Sequence, residues 1–125
     1  SQGKHETALE QFKKCLAIRI KALGEDHSDL AATYNNIAGV YTKQGKHETA
    51  LEQFKKCLAI RIKALGEDHP SVAATYNHIA TTKYNMACSL EEQGELARAG
   101  GLFRESASIY SKVFGAEHEE TLDAL

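Results

Sequence analysis

The sequence predicts an all-α fold, a solenoid of antiparallel helix pairs, and three observations carry that prediction. The stretch QGKHETALEQFKKCLAIRIKALGEDH occurs twice, at Gln2 to His27 and at Gln44 to His69, so Gly45 stands 42 residues after Gly3 and the chain is a repeat array. Within each copy the apolar residues fall at spacings of three and four, the period of a helix with one buried face. A 42% apolar share with a single Pro in 125 residues supports a packed core. An array of this kind works by displaying a surface, so function is expected from a groove rather than from a catalytic pocket.

From His5 to Leu23, the residues Leu9, Phe12, Leu16, Ile20 and Leu23 draw an apolar stripe down one helical face. Ala8, Cys15 and Ala22 lie beside it and are small enough to admit a neighbouring helix. Gly24 is expected to stop this helix as a left-handed cap. The linker that follows lets Ser28 or its neighbours cap the next amides and sets Asp29 near a helix N-terminus.

The second helix, over about Asp29 to Lys43, turns Leu30, Tyr34, Ile37, Ala38 and Tyr41 inward and stops at Gly45. His47 to Leu65 then repeats the first helix letter for letter, and Gly66 closes it. In the copied linker Pro70 replaces Ser28, at a first helical position where no amide hydrogen bond is lost.

The third unit departs from the period. Its closing Gln93-Gly94 stands 49 residues after Gln44-Gly45, so seven residues have been added. A heptad rotates a helical face by only about 20°, which lets Tyr76, Ile79, Met86 and Ala87 all point inward. No Gly or Pro lies between Ser71 and Glu92, so one extended helix over about 71–93 is expected. The last helix is expected from about Glu95 to Phe114, with Leu96, Ala99, Phe103, Ala107, Ile109, Tyr110 and Val113 buried. Gly100-Gly101 inside it points to close helix contact or a kink. Gly115 is expected to end it, and Glu119 to Leu125 to begin another.

These residues are where the chain resembles a known family. Tyr34, Ile37, Ala38, Tyr41, Gly45, Ala50, Phe54 and Cys57 follow the large-small-large pattern of a tetratricopeptide repeat, and the 42-residue period with the linker ALGEDHP resembles the kinesin light chain type. The resemblance covers nearly the whole chain and implies a right-handed tetratricopeptide α-solenoid. On this reading residues 1–125 form one repeat domain. It divides into 1–27, the second helix of a truncated repeat; 28–69, a full repeat; 70–117, the repeat with the insertion; and 118–125, the start of a next helix. The start at SQGK looks like that of an excised fragment. Both ends are expected to be uncapped, which predicts self-association or exchange of a terminal element, a homo-oligomer.

The resemblance also implies that each repeat's first helix lines a concave, peptide-binding groove. With the apolar residues facing the core, Ala32, Asn35, Asn36, Gly39 and Lys43 turn toward that groove or its edge. In the third unit the equivalents are Ala74, Asn77, His78, Thr81 and, one heptad on, Asn85 and Cys88. Asn is a poor helix former, and its amide both donates to and accepts from a peptide backbone, so an interior row of Asn suits holding an extended segment. Asn36 matches the family's groove asparagine. Asn85 matches it when the third unit is aligned by Gly94, and His78 takes that place when it is aligned by its start. The family implies acidic ligand segments carrying an aromatic residue, which Lys43, Lys83 and His78 would meet. The same Asn residues equally solvate an exposed helix, and 26 identical consecutive residues also fit a spacer with no ligand.

Other function classes find little support. The net charge is −2, with 12 Lys/Arg and 9 Asp/Glu in residues 1–83 and 3 and 8 in 84–125, and no basic block has the density that phosphate neutralisation needs, so nucleic acid is not an expected partner. No leader and no run of about 18 apolar residues is present, so no membrane span is expected. Cys15, Cys57 and Cys88 lack CxxC spacing and read as free thiols in a reducing compartment, the cytoplasm. His5 and His47, and His27 and His69, are copies of two repeat positions, so copying accounts for them without a metal. There is no phosphate loop, no GxSxG and no HExxH, so no catalytic residue, cofactor or enzyme activity is expected.

Overall fold

The computed structural model describes residues 2–124, with side chains over 2–115, and every regular element among them is an α-helix. The helices are α1 (Gln2–Leu23), α2 (Leu30–Lys43), α3 (His47–Leu65), α4 (Pro70–Glu92) and α5 (Leu96–Ala124). The predicted all-α architecture and helix order therefore stand. Contacts divide the chain into two compact units, one reaching Thr75 and the other starting at Tyr76.

In the first unit α2 packs against both α1 and α3. Leu30, Ala31 and Tyr34 of α2 form a buried cluster with Cys57 and Ile60 of α3, and Leu16 and Ile20 of α1 pack on it. Two lysines lay their ammonium groups over aromatic rings of α2: Lys56 over Tyr34 at 5.6 Å and Lys13 over Tyr41 at 5.7 Å. Gly24 and Gly66 end the two identical helices alike, with φ of 90° and 88° and amides bonded to Ile20 and Ile62 at 2.8 and 2.9 Å. The cap at the start of α2 differs from expectation. Asp29 makes no side-chain cap, and its own amide instead donates to Nδ1 of His27 at 3.1 Å. Ser71 repeats this with His69 at 3.0 Å.

Identical letters do not fold identically. Gln44, Gly45 and Lys46 make a turn in which Gly45 has φ 75° and Lys46 bonds back to the Tyr41 carbonyl at 2.9 Å. Gln2, Gly3 and Lys4 make no such return and belong to α1. Of the predicted α1 stripe, Leu9 is buried, while Leu23 is exposed.

The extended helix is present as one element of 23 residues, about 35 Å long at the α-helical rise. Val72, Thr75, Ile79, Thr82 and Ala87 are its buried residues at helical spacing, joined by Ala80. Thr75 and Thr82 satisfy their hydroxyls on the carbonyls of Ser71 and His78 at 2.9 and 2.8 Å, which is what makes a buried Thr tolerable.

In the second unit α5 runs beside the later part of α4. Ser106 donates to the Ala80 carbonyl at 2.8 Å, Lys83 pairs with Glu105 at 3.7 Å, and Tyr84 meets Phe103 edge-on at 5.3 Å. Ala99 and Val113 are buried as expected, but Leu96, Ala107 and Tyr110 are exposed. Ser106 is buried instead, because it stands 49 residues after the buried Cys57 and inherits its place. Gly100 and Gly101 do not mark a helix contact, since a Cβ at either would meet only Arg104, at 3.4 and 3.9 Å. Nor does Gly115 stop the helix: it lacks the positive φ of the terminating glycines, and α5 continues through it to Ala124. The expected new start at Glu119 is thus part of α5, with Leu125 outside the described residues.

Candidate functional site

On α2, burial of Leu30, Thr33, Tyr34, Ile37 and Ala38 leaves an opposite stripe formed by Ala32, Asn36, Gly39 and Lys43. Ala32, Asn36 and Lys43 are exposed and Gly39 is half-buried. On that stripe Asn36 stands between two small residues, Ala32 and Gly39. A Cβ at Gly39 would meet nothing within 4 Å, so no packing among the described residues accounts for this mid-helix glycine.

Asn35 lies off that stripe. It is half-buried, and its Oδ1 is shielded without a hydrogen-bond partner among the described residues. Gln44, at the end of α2, has both side-chain amide atoms in the same condition, as does Nδ1 of His47 just beyond. Each such buried atom costs on the order of 1–3 kcal/mol while it lacks a partner. The letters alone do not single out Gln44, because beside Gly45 it reads as part of a turn. Tyr34, beneath the stripe, has its phenol pushed above the usual range by burial, and by Glu25 and Asp26.

The α4 equivalents are less uniform. Ala74 and His78 are exposed, whereas Asn77 and Asn85 are half-buried. Thr81 is exposed, but its hydroxyl is hydrogen-bonded to that of Tyr110 on α5, so it is not the open groove position the periodicity implied. Lys83 is likewise taken up by Glu105, with its side chain 19% exposed. A residue that sequence reasoning missed stands next to Asn85: Tyr84, half-exposed, 49 residues after Asn35. The register of the closing glycines could have found it.

Among the described residues no group of three or more His, Cys, Asp or Glu is placed to hold a metal ion, and no helix is long and apolar enough to cross a membrane. The three cysteines are free thiols, with Cys57 buried.

The sequence profile of the Tetratricopeptide repeat matches residues 1–63 and again 29–92, and a second profile of that description matches 79–120. The latter begins at Ile79, which stands to Gly94 as Leu30 stands to Gly45. No curated protein sequence matches the chain. Among solved structures, BtubC (BKLC) from P. vanneervenii is similar with a TM-score of 0.57 at 17% identity, over 90% of this chain and 59% of its own. A structure of "Podosopora anserina putative kinesin light chain nearly identical TPR-like repeats" is similar with a TM-score of 0.60 at 22% identity, over 95% of this chain and 70% of its own. A point variant of that Podosopora anserina protein is similar at 0.59 and 22%, over 96% and 70%. The chain therefore spans less than two thirds of the first of these proteins, and the likeness to all three is one of fold.

Proposed function

The chain belongs to the tetratricopeptide repeat family, whose repeats are protein–protein interaction scaffolds, and on that premise we propose that it binds an extended peptide segment of a partner protein. It does so without catalysis, as an adaptor or cargo scaffold of the kinesin light chain kind, and its free thiols fit a cytoplasmic setting. The observation that carries the reading is the α2 stripe, in which an exposed Asn36 is flanked by Ala32 and Gly39 and followed by Lys43. An amide over a track of small residues holds a peptide backbone by donating and accepting, while Lys43 favours acidic side chains nearby. Asn35 offers its unpartnered Oδ1 at the edge of that track. On α4, His78 with Asn77 and Asn85 supplies a comparable polar face, and Tyr84 beside Asn85 adds a surface for an aromatic ligand residue. The family profile that begins at Ile79 supports aligning Asn85 with Asn36.

The test is a peptide-library screen on the wild-type chain, repeated with Asn36→Ala and Lys43→Ala. Asn36→Ala is expected to weaken every ligand by about tenfold, the worth of one or two peptide hydrogen bonds. Lys43→Ala is expected to weaken acidic ligands most and to reduce the salt dependence of their binding. Ligands that bind both variants as tightly as wild type would remove α2 from the site.

A further inference from the structure

Both repeat linkers close on a histidine that acts through its ring. Asp29 donates its amide to Nδ1 of His27 at 3.1 Å, and Ser71 donates its amide to Nδ1 of His69 at 3.0 Å. A ring nitrogen that accepts carries no proton, so both histidines are bonded in the neutral form with the proton on Nε2. Their carbonyls hold the same turns, that of His27 accepting from Leu30 at 3.0 Å and that of His69 from Val72 and Ala73 at 2.9 and 3.2 Å. These amides open α2 and α4, where no intrahelical carbonyl can reach them. The two linkers differ at the residue that donates. Asp29 also places Oδ2 3.7 Å from Nδ1 of His27, whereas its copy Ser71 has no charge to offer. The Ser71 carbonyl is instead taken by the Thr75 hydroxyl at 2.9 Å and by the Arg61 guanidinium at 3.5 Å, which sets a cation beside the second linker.

We propose that the α3–α4 linker is an acid-sensitive joint, and that the α1–α2 linker is the same joint protected by Asp29. Protonation at Nδ1 turns the acceptor into a donor, so the amide two residues on loses its partner. At His27 the new N–H faces the Asp29 carboxylate, and an ion pair replaces the lost bond. At His69 no such exchange is built in, and the new charge arises on the side where Arg61 already stands. The remaining charged groups do not alter this contrast. Glu25 and Asp26 in the first linker are matched by Glu67 and Asp68 in the second, all four exposed and screened by water. Of the cations on the packed helices, Lys63 pairs with Asp26 at 3.5 Å and Arg19 is bonded to Thr33. Because the neutral ring is the bonded one, the cap at His69 is complete at pH 8 and is lost as the pH falls toward 5, the span in which histidine takes up a proton. The first turn of α4 then frays while that of α2 holds.

The test is amide hydrogen exchange of the whole chain at pH 8 and pH 5, read residue by residue as protection corrected for the intrinsic rate. In the wild-type protein the protection of Val72 and Ala73 is expected to fall by about fivefold or more at pH 5, the worth of one hydrogen bond. Leu30 and Ala31, the internal control for any general loss of stability, change by less than about twofold. His69→Asn supplies a side-chain oxygen that accepts the same amide and does not titrate, so its protection at Val72 and Ala73 should hold within about twofold. Exchanging the letters of the two linkers moves the effect. Ser71→Asp is expected to abolish the fall at Val72 and Ala73, and Asp29→Ser to create one at Leu30 and Ala31. A wild-type protein whose α4 amides keep their protection at pH 5 would overturn the proposal. So would a fall of the same size in His69→Asn, which would place the titrating group elsewhere, or a Ser71→Asp protein that loses protection as the wild type does.

Discussion

The guanidinium of Arg61 on α3 donates to the hydroxyl of Thr75 on α4 at 2.7 Å, and Arg19 on α1 repeats the bond to Thr33 on α2 at 3.1 Å. Each bond joins the second helix of one repeat to the first helix of the next. Thr75 is fully buried and its hydroxyl also donates to the Ser71 carbonyl, whereas Arg19 is exposed. Removing a hydroxyl from a buried network strands its partner, but an exposed guanidinium recovers its bond from water. Thr75→Val is therefore expected to cost about 1–3 kcal/mol in urea unfolding and Thr33→Val less than about 1. Adding Arg61→Met to Thr75→Val should recover part of the loss, since the guanidinium left with only its 3.5 Å bond to the Ser71 carbonyl is then gone.

The thiols differ in the same systematic way. Cys57 is fully buried and its pKa is pushed up by burial, against smaller opposing effects of the Arg61 charge and the Thr75 hydroxyl. Cys15, with the same neighbours in sequence, is half-buried, as is Cys88. A thiol reagent at pH 8 is expected to modify Cys15 and Cys88 in the native protein and Cys57 only on unfolding. Because the folded thiol has the higher pKa, its contribution to stability is complete below the ordinary thiol range and is lost as pH rises through the folded value. The stability gap between wild type and Cys57→Ala should thus narrow above about pH 8.5 in thermal unfolding followed from pH 7 upward.

Local signals are readable from the letters and environmental ones are not. The period, the glycine stops at Gly24, Gly45, Gly66 and Gly94, and the unbroken α4 all follow from spacing and backbone preference within one element. Ile18 and Ile60 share their neighbours in the repeated stretch, yet one is 69% exposed and the other 6%, because among the described residues Ile60 packs with Leu30, Ala31 and Tyr34 of α2 in one buried cluster and Ile18 does not. Gly115 resembles Gly24 in its setting but takes a helical backbone, so a glycine permits a stop without imposing one. The exposure of Asn36 and Lys43 is legible because one helix decides which of its faces is open. Thr81 is not, since its hydroxyl partner Tyr110 comes from across a hairpin. His27 and His69 escape notice as caps because Ser and Asp are the usual capping residues and stand beside them.

Gly39 separates stability from binding. It lies inside α2 with an ordinary helical backbone, beside Asn36 on the open stripe, and beyond the helix's own backbone a Cβ there would meet nothing within 4 Å among the described residues. A glycine in a helix interior costs about 0.5–1 kcal/mol relative to alanine, so Gly39→Ala is expected to stabilise the fold by that amount. If a ligand backbone lies along the track, the added methyl stands in its way, and affinity for peptides from the library screen should fall about fivefold or more while the unfolding midpoint rises. Gly39→Leu should abolish binding and leave the helix intact, as circular dichroism would verify. A Gly39→Ala protein that is more stable and binds as well as wild type would mean that the ligand backbone does not approach α2 at this point.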